Sequence, residues 1–426
     1  MLHPIATLVL LLAPGNGIQD AKPPSEKELE DLAKSYLSQD PTTPKGRFEQ
    51  FRALKRIDVG PPLSAAEVKS WTAKLLKLEA KGCQLEKKNG RHYFWSKPEV
   101  AEDRGLYIVG GESKNPKGLL IAMHGGGAGE GDAWSAHGAY QSAAGKLDWL
   151  MICPEVLKKT EHGWTDSGSE EFVLGLVEAA LRTWRIDRNR VYFSGHSMGG
   201  YGTWTLGAHH ADRVAALAAS AGAPTPIFGP DRSVIDIAEG VVPCLRNVPM
   251  IVFQSDDDPN VPPAANRAAA KKVEEARAHW GGFPFEYWEV QGNAHGLPPG
   301  GMPALLAKIK DRVRDPRPAK VVWQPALEWK QQFYWLWWGD PVRGATVVAE
   351  CDRARNQISV TCTADPKGLE VLLDARLIDL DREVTVRVGE KVMYQGKPLL
   401  TLANLVKTSA TGDPDLVFAA SVSLSP

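Results

Sequence analysis

Val191-Tyr192-Phe193-Ser194-Gly195-His196-Ser197-Met198-Gly199-Gly200-Tyr201-Gly202 reads as an apolar strand, a glycine-pinched corner and the start of a helix. The corner has the form G-x-S-x-G, with Ser197 at its tip. A serine on so sharp a strand-to-helix turn projects its hydroxyl outward. Backbone passing close on either side leaves no room for a Cβ at the flanking positions, and Gly195 and Gly199 supply that room. The following helix aims its first N–H groups at the place where a substrate oxyanion would form. In a chain with 40 glycines the five-residue pattern also arises by chance. Its weight therefore comes from the strand before it and the helical stretch Gly199 to His210 after it.

Upstream, the apolar strand Gly118 to Met123 runs into His124-Gly125-Gly126-Gly127-Ala128-Gly129. Glycines there let backbone N–H groups approach a substrate oxygen without side-chain obstruction, as in the H-G-G-G loops of esterases. The N–H of Met198 and those near Gly126 and Gly127 are the expected oxyanion donors. A plain glycine turn is the alternative. Strands expected at His92 to Trp95, Gly105 to Val109 and Trp149 to Cys153 alternate with helices around Ala136 to Leu147 and Ser169 to Trp184. Such alternation predicts a mostly parallel sheet with helices on both faces.

Downstream, Val214 to Ala221 reads as a buried strand, and Pro224 to Val242 as an irregular candidate cap over the site. The strand Val248 to Phe253 leads into Asp256-Asp257-Asp258-Pro259-Asn260-Val261-Pro262, followed by a helix from Ala264 to Trp280. The strand Phe285 to Val290 leads into Gly292-Asn293-Ala294-His295-Gly296, followed by a helix from Pro303 to Val313. A serine, an acid and a histidine thus each follow the C-terminal end of a strand, the edge where active sites of open parallel sheets gather. Spacing alone does not separate Asp256, Asp257 and Asp258. Of the other histidines, His196 is expected on the far side of the corner, His124 belongs to the glycine loop, and His209 and His210 read as solvent-facing or capping.

The segment from about Gly105 to Val313 resembles the α/β-hydrolase serine hydrolases grouped with the prolyl oligopeptidase, dienelactone hydrolase and feruloyl or polyhydroxyalkanoate esterase-like families. The resemblance is carried by Arg190-Val191-Tyr192-Phe193, Gly195-His196-Ser197-Met198-Gly199-Gly200, Asp258-Pro259-Asn260-Val261-Pro262 and Gly292-Asn293-Ala294-His295-Gly296. It implies an α/β-hydrolase fold and selects Asp258, the aspartate of a D-P-x-V-P turn, as the acid beside Ser197 and His295. The chain departs from the family at Phe253-Gln254-Ser255, where His-Gly often stands before the acid turn. The implied chemistry is acyl transfer: Ser197 attacks a carbonyl carbon, His295 takes its proton and Asp258 orients the imidazole.

Net charge is −1, which gives no electrostatic case for nucleic acid or an anionic membrane surface. No C-x-x-C or histidine-rich spacing suggests a metal site, and neither metal nor cofactor is expected. The apolar run Ile5 to Ala13 is too short to span a membrane, which takes about 20 apolar residues. It suits the core of a signal peptide over residues 1–20, with a buried N-terminal helix as the alternative, so the mature chain is expected to be exported, periplasmic or extracellular, with no membrane span. Five sparse cysteines do not make a disulfide framework. Cys351 and Cys362 flank an expected hairpin and are candidates to pair in an exported chain.

The remaining organisation is a helical arm over 21–90, the catalytic segment over 91–315 and a β-rich module over 319–426. In the arm, Ser25 with Glu28 and Ser64 with Glu67 mark helix starts, and the arm is expected to pack on the catalytic segment. Composition shifts near Asp315-Pro316-Arg317-Pro318, after which Trp323, Trp329, Trp335, Trp337 and Trp338 crowd together. Short alternating segments beyond them predict an antiparallel β-sandwich-like module. The aromatics could form a sugar-stacking platform, but their size favours anchoring the module to the rest of the chain. Three functions stand: an exported serine esterase acting on small or polymer-linked esters, a serine peptidase of prolyl oligopeptidase-like type, and an inactive carbohydrate-binding protein.

Overall fold

The computed structural model describes residues 24–94 and 105–425. The expected signal peptide and Trp95 lie outside the described residues.

Among the described residues three helices come first: α1 (Glu26–Leu37), α2 (Pro44–Ile57) and α3 (Ala65–Glu79). Ser25 with Glu28 and Ser64 with Glu67 form complete capping boxes, each satisfying two helix-end N–H groups. Helix α2 escapes a search for apolar periodicity. Its buried positions are Gly46, Gln50, Ala53 and Ile57, while Phe48 and Phe51 face solvent.

The main sheet begins with β1 (Gly90–Phe94), β2 (Gly105–Gly111) and β3 (Gly118–Met123). It continues through α4 (Ala133–Lys146), β4 (Trp149–Pro154), α5 (Ser169–Trp184), β5 (Val191–His196), α6 (Met198–His209) and β6 (Ala216–Ser220). A small hairpin, β7 (Pro226–Phe228) and β8 (Val234–Ile237), precedes β9 (Met250–Ser255), α7 (Ala264–Trp280), β10 (Phe285–Val290) and α8 (Gly301–Ala307). The strand order is β1-β2-β4-β3-β5-β6-β9-β10. The first two pairings are antiparallel and the rest parallel. This is the α/β-hydrolase arrangement that the strand–helix alternation predicts.

Residues of β3 show how the layers form. Leu119, Ile121 and Met123 join the core beneath α5 and α6, with Phe172, Leu176 and Trp204. Their neighbours Leu120 and Ala122 turn to the other face, with Ala136 and Tyr140 of α4 and Leu305 of α8. A strand covered on both faces is apolar at every position, and all six residues of β3 are buried. Helix α8 is shorter than expected. The candidate cap is the β7–β8 hairpin, tied to α7 by Lys272 Nζ on Asp236 Oδ1 at 2.6 Å.

The C-terminal module contains β11 (Lys320–Trp323), β12 (Gln332–Phe333), β13 (Leu336–Trp338), β14 (Val347–Asp352), β15 (Gln357–Cys362), β16 (Leu369–Leu373), β17 (Val384–Val388), β18 (Lys391–Gly396), α9 (Leu402–Ser409) and β19 (Ala420–Ser423). Two sheets form, ordered β11-β14-β15-β17-β18 and β12-β13-β16-β19. All pairings are antiparallel except β15 with β17. Helix α9 was not anticipated, and it redirects the N-terminal arm. Leu32, Tyr36, Ile57, Trp71 and Leu75 of the arm share one core with Leu402, Leu405 and Val406 of α9. The apolar face of the three helices therefore packs on the C-terminal module, while the end of the arm joins the main core as expected, through Leu85, whose N–H donates to Thr183 Oγ1 of α5 at 2.8 Å.

Cys351 and Cys362 are free. The β14–β15 register sets Cys351 opposite Ile358 and Cys362 opposite Val347, on different rungs of the ladder. Four rungs at about 3.4 Å each separate them, beyond the reach of a disulfide. No described helix is long and apolar enough to cross a membrane.

Candidate active site

Ser197 sits between β5 and α6 with φ 57° and ψ −124°, a sparsely populated positive-φ conformation that costs a non-glycine residue about 1–3 kcal/mol. Its surroundings hold it there. Its N–H donates to the Ser220 carbonyl at 2.9 Å, and its carbonyl accepts from Gly200 N at 2.8 Å. The flanking glycines answer the steric expectation. A Cβ on Gly195 would lie 2.2 Å from the Gly199 carbonyl oxygen, and one on Gly199 would lie 2.2 Å from that of Met123.

The structure brings Ser197, His295 and Asp258 together. His295 Nε2 lies 2.9 Å from Ser197 Oγ, and Nδ1 lies 2.7 Å from Asp258 Oδ2. A carboxylate only accepts, so Nδ1 carries the proton and Nε2 is free to accept from the serine hydroxyl. The Asp258 side chain is fully buried. Its other oxygen accepts from the N–H groups of Asn260 and Val261, both at 2.9 Å. Gln254, where the resembled families often carry His-Gly, braces this turn. Its amide donates to the carbonyls of Ser255 (3.0 Å) and Val261 (2.9 Å), and its oxygen accepts from Asn266 (2.7 Å).

The three consecutive aspartates divide their work. Asp258 meets the His295 ring, whereas Asp256 and Asp257 meet the backbone of the histidine loop. Gly292 N donates to Asp256 Oδ1 at 3.0 Å and Ala294 N to Asp257 Oδ1 at 2.8 Å. The two loops lie side by side because β9 and β10 pair in register, Ser255 opposite Val290. That adjacency is absent from linear spacing.

The glycine loop lies against the corner. A Cβ on Gly125 would fall 3.0 Å from the His196 carbonyl and 3.1 Å from Ser197 Cβ. Gly125 is thus the glycine that lets the two segments meet, a position not singled out from sequence. Gly126 has φ 141° and would collide with the Glu130 carbonyl if it carried a Cβ, whereas the corresponding space at Gly127 is open. Met198 opens α6, so its N–H is among those with no intrahelical acceptor. His124 braces the loop through both ring nitrogens, with Val156 N donating to Nε2 at 3.2 Å and Nδ1 facing the Gly125 carbonyl at 2.8 Å. Burial lowers its pKa, keeping the ring neutral as that pair of bonds requires. Trp164 is buried and donates its indole N–H to the His124 carbonyl at 3.0 Å, supporting the loop from below.

Two expectations for histidines are corrected. His196 is not turned away from the site: its ring centroid lies 4.9 Å from that of His295. Its Nδ1 lies 2.9 Å from Ser220 Oγ on the neighbouring strand β6, which draws the ring to this side. Burial, then the adjacent His295, push its pKa down to about 4. His209 and His210 are not solvent-facing, although the capping alternative holds for His210, the C-cap of α6. They bond Glu170 Oε1 at 2.8 and 3.1 Å, and His210 is buried against Trp329. Among the described residues no cluster of three or more His, Cys, Asp or Glu could hold a metal ion.

Sheet order, glycine corner and serine–histidine–aspartate arrangement together define the class: the chain has an α/β-hydrolase fold. No family model matches the sequence, and no curated protein matches it. Among solved structures it is similar to a thermostable esterase, at 21% identity over 53% of this chain and 63% of that one, with a TM-score of 0.40. The chain thus spans just under two thirds of that esterase's length. It is also similar to the ferulic acid esterase AmCE1/Fae1A of Anaeromyces mucronatus in complex with ferulic acid, at 17% identity over 53% and 90% of the two chains and a TM-score of 0.38. A third is LpqC, a poly(3-hydroxybutyrate) depolymerase of Bordetella parapertussis, at 18% identity over 53% and 88% and a TM-score of 0.38. At these identities and scores the likenesses do not bear on substrate, and the fold assignment rests on the topology above.

Proposed function

We propose that the chain hydrolyses carboxylic esters through an acyl-enzyme on Ser197. The observation that carries this is the continuous path Ser197 Oγ to His295 Nε2 (2.9 Å) and Nδ1 to Asp258 Oδ2 (2.7 Å), mounted on the strand-to-helix corner. Ser197 Oγ attacks the ester carbonyl carbon while its proton passes to His295 Nε2. The tetrahedral oxyanion takes hydrogen bonds from Met198 N and from the glycine loop at Gly126 and Gly127. Removing one such donor typically costs about 2.7–4 kcal/mol of barrier stabilisation. Collapse expels the alcohol, which receives the proton from His295. Water then attacks the acyl-enzyme with His295 again as base, releasing the acid and restoring Ser197. Asp258 keeps the imidazole in the required tautomer and stabilises its charged form.

Export is part of the same reading and is supported by the apolar run Ile5 to Ala13. Sequencing the N-terminus of the secreted protein tests it, and a chain retained in the cytoplasm with residues 1–20 intact overturns it.

Hydrolysis of p-nitrophenyl acetate, set beside a panel of peptide amides, tests the chemistry. Ester turnover is expected, abolished in Ser197→Ala, together with covalent labelling of Ser197 by a fluorophosphonate. Turnover unchanged in Ser197→Ala removes the nucleophile assignment. Amide cleavage exceeding ester cleavage replaces esterase by peptidase.

A further inference from the structure

We infer that Ser255, Asp256 and Asp257 act as positioning residues: a hydrogen-bond clamp from the acid turn that sets the backbone of the histidine loop and thereby places His295 against Ser197. The inference rests on the acyl-transfer reading above. It assigns work to side chains outside the serine, histidine and aspartate themselves.

Three consecutive N–H groups directly ahead of His295 are held by three consecutive side chains directly ahead of Asp258. Gly292 N donates to Asp256 Oδ1 (3.0 Å), Asn293 N to Ser255 Oγ (2.9 Å) and Ala294 N to Asp257 Oδ1 (2.8 Å). Ser255 donates its own hydroxyl proton to Asp257 Oδ1 at 2.6 Å, so the clamp is internally braced. Asp256 N in turn reaches back to the Val290 carbonyl at 2.9 Å.

The loop needs such holding. Gly292 has φ 66° and Ala294 has φ 46°, and alanine gains nothing intrinsic from the left-handed region. A residue in that conformation persists where its surroundings over-determine it. Ala294 is the residue adjoining His295, so its backbone angles set where the imidazole begins. Relaxation toward an ordinary conformation would swing Nε2 away from Ser197 Oγ. A misplacement of about 1 Å can cost about a hundredfold in rate.

Position also separates this role from stability. Ser255 is buried, but Asp257 is exposed, so its substitution opens no cavity in the core. Its expected effect on turnover runs through the backbone of the histidine loop, which Ala294 N joins to it at 2.8 Å. Its carboxyl is held below the usual range, chiefly by the Ser255 hydroxyl and then by the Ala294 N–H. It accepts both bonds as a carboxylate, and an asparagine carbonyl in its place can accept the same two.

The full chain is tested with p-nitrophenyl acetate and a fluorophosphonate, in Asp257→Ala, Asp257→Asn, Ser255→Ala and Ser197→Ala. Asp257→Ala is expected to lower kcat by roughly 10- to 100-fold with KM within about twofold, and to slow fluorophosphonate labelling of Ser197 in parallel. Asp257→Asn should recover most of both rates. Ser255→Ala removes the Asn293 contact and the brace together and should fall in the same direction. It reads the clamp through a second side chain if Asp257→Ala melts early. A kcat for Asp257→Ala within about twofold of wild type overturns the clamp, as does an equal loss in Asp257→Asn. If Ser197→Ala retains full turnover, the acyl-transfer reading itself has failed. If Ser197→Ala is dead and Asp257→Ala is normal, the clamp alone has failed.

Discussion

The corner around Ser197 and the tryptophan-rich segment around Trp335 are both tightly packed, but they are packed in opposite ways. At the corner, backbone meets backbone: Gly195, Gly199 and Gly125 each stand where a Cβ would meet another chain segment at 2.2–3.1 Å. In the segment, six consecutive residues from Phe333 to Trp338 are buried. Three of their polar tips are partnered outside the segment. Tyr334 donates to the Ala211 carbonyl at 2.9 Å, Trp335 to that of Pro318 at 2.8 Å and Trp338 to that of Lys367 at 2.9 Å. Tyr334 thereby ties the β module to the turn that follows α6. These rings are core and anchor, as their size suggested, and not an open platform. The contrast teaches that geometry at the site comes from side chains that are absent, while cohesion comes from side chains that are large. Substitutions in the two regions should therefore separate rate from stability.

The largest separation is expected at Asp258. Asp258→Asn keeps an oxygen acceptor for Asn260 N and Val261 N but presents the wrong partner to His295 Nδ1. A change of this kind lowers kcat by about 10⁴-fold through the imidazole tautomer. Melting should barely move. Steady-state kinetics beside a thermal melt measure both, and a collapse of the melting temperature would mean that the acid turn serves stability as much as rate.

Trp335→Ala should do the reverse. It empties a fully buried indole site and strands the Pro318 carbonyl. Removing a buried Phe or Trp costs about 3–5 kcal/mol. Denaturant titration reads the loss, and kcat of the molecules that remain folded, counted by fluorophosphonate labelling, should be unchanged. A parallel fall in kcat per labelled site would show that the segment reaches the site and would break the contrast.

What could be read before the structure follows the same division. Corner, glycine loop, acid turn and histidine turn are written in small residues and chemistry-bearing residues at strand ends, and each needs only its own neighbours to be recognised. Strands and helices of the main sheet are legible because each is apolar on the faces it buries. Helix α2 was hidden because its buried stripe is Gly46, Gln50, Ala53 and Ile57. Helix α9 was hidden among strands, although Leu402, Leu405 and Val406 are the surface on which the arm closes. His196 was misplaced because the Ser220 hydroxyl that draws its ring inward lies on the next strand of the sheet. The work of Ser255, Asp256 and Asp257 depends on β9 and β10 lying side by side, a fact of topology that no linear spacing states.

The smallest expected effect sets a histidine packed beside one region against a histidine packed beside the other. His196 stands beside the site, and His210 lies under Trp329 at the edge of the β module. Burial is the first cause at both, and each is pushed down to about 4 from an ordinary value of 6.5. At His210 burial outweighs the opposing hydrogen bond from Glu170. The unfolded chain takes up a proton at each near 6.5, while the folded chain does not until near 4. Between those values the unfolded state binds more protons, so stability falls with falling pH, and below about 4 the loss is complete. Thermal melts from pH 7 to pH 4 should show this slope in the wild type. His196→Asn, which can still bond Ser220, should reduce it, and so should His210→Asn. The two differ in rate: His196→Asn removes the ring packed on His295 and should lower kcat severalfold, whereas His210→Asn should leave kcat alone. A slope unchanged in both variants would remove the buried neutral histidines as its source. A rate loss in His210→Asn would carry the site's influence across the interface that the aromatic segment seals.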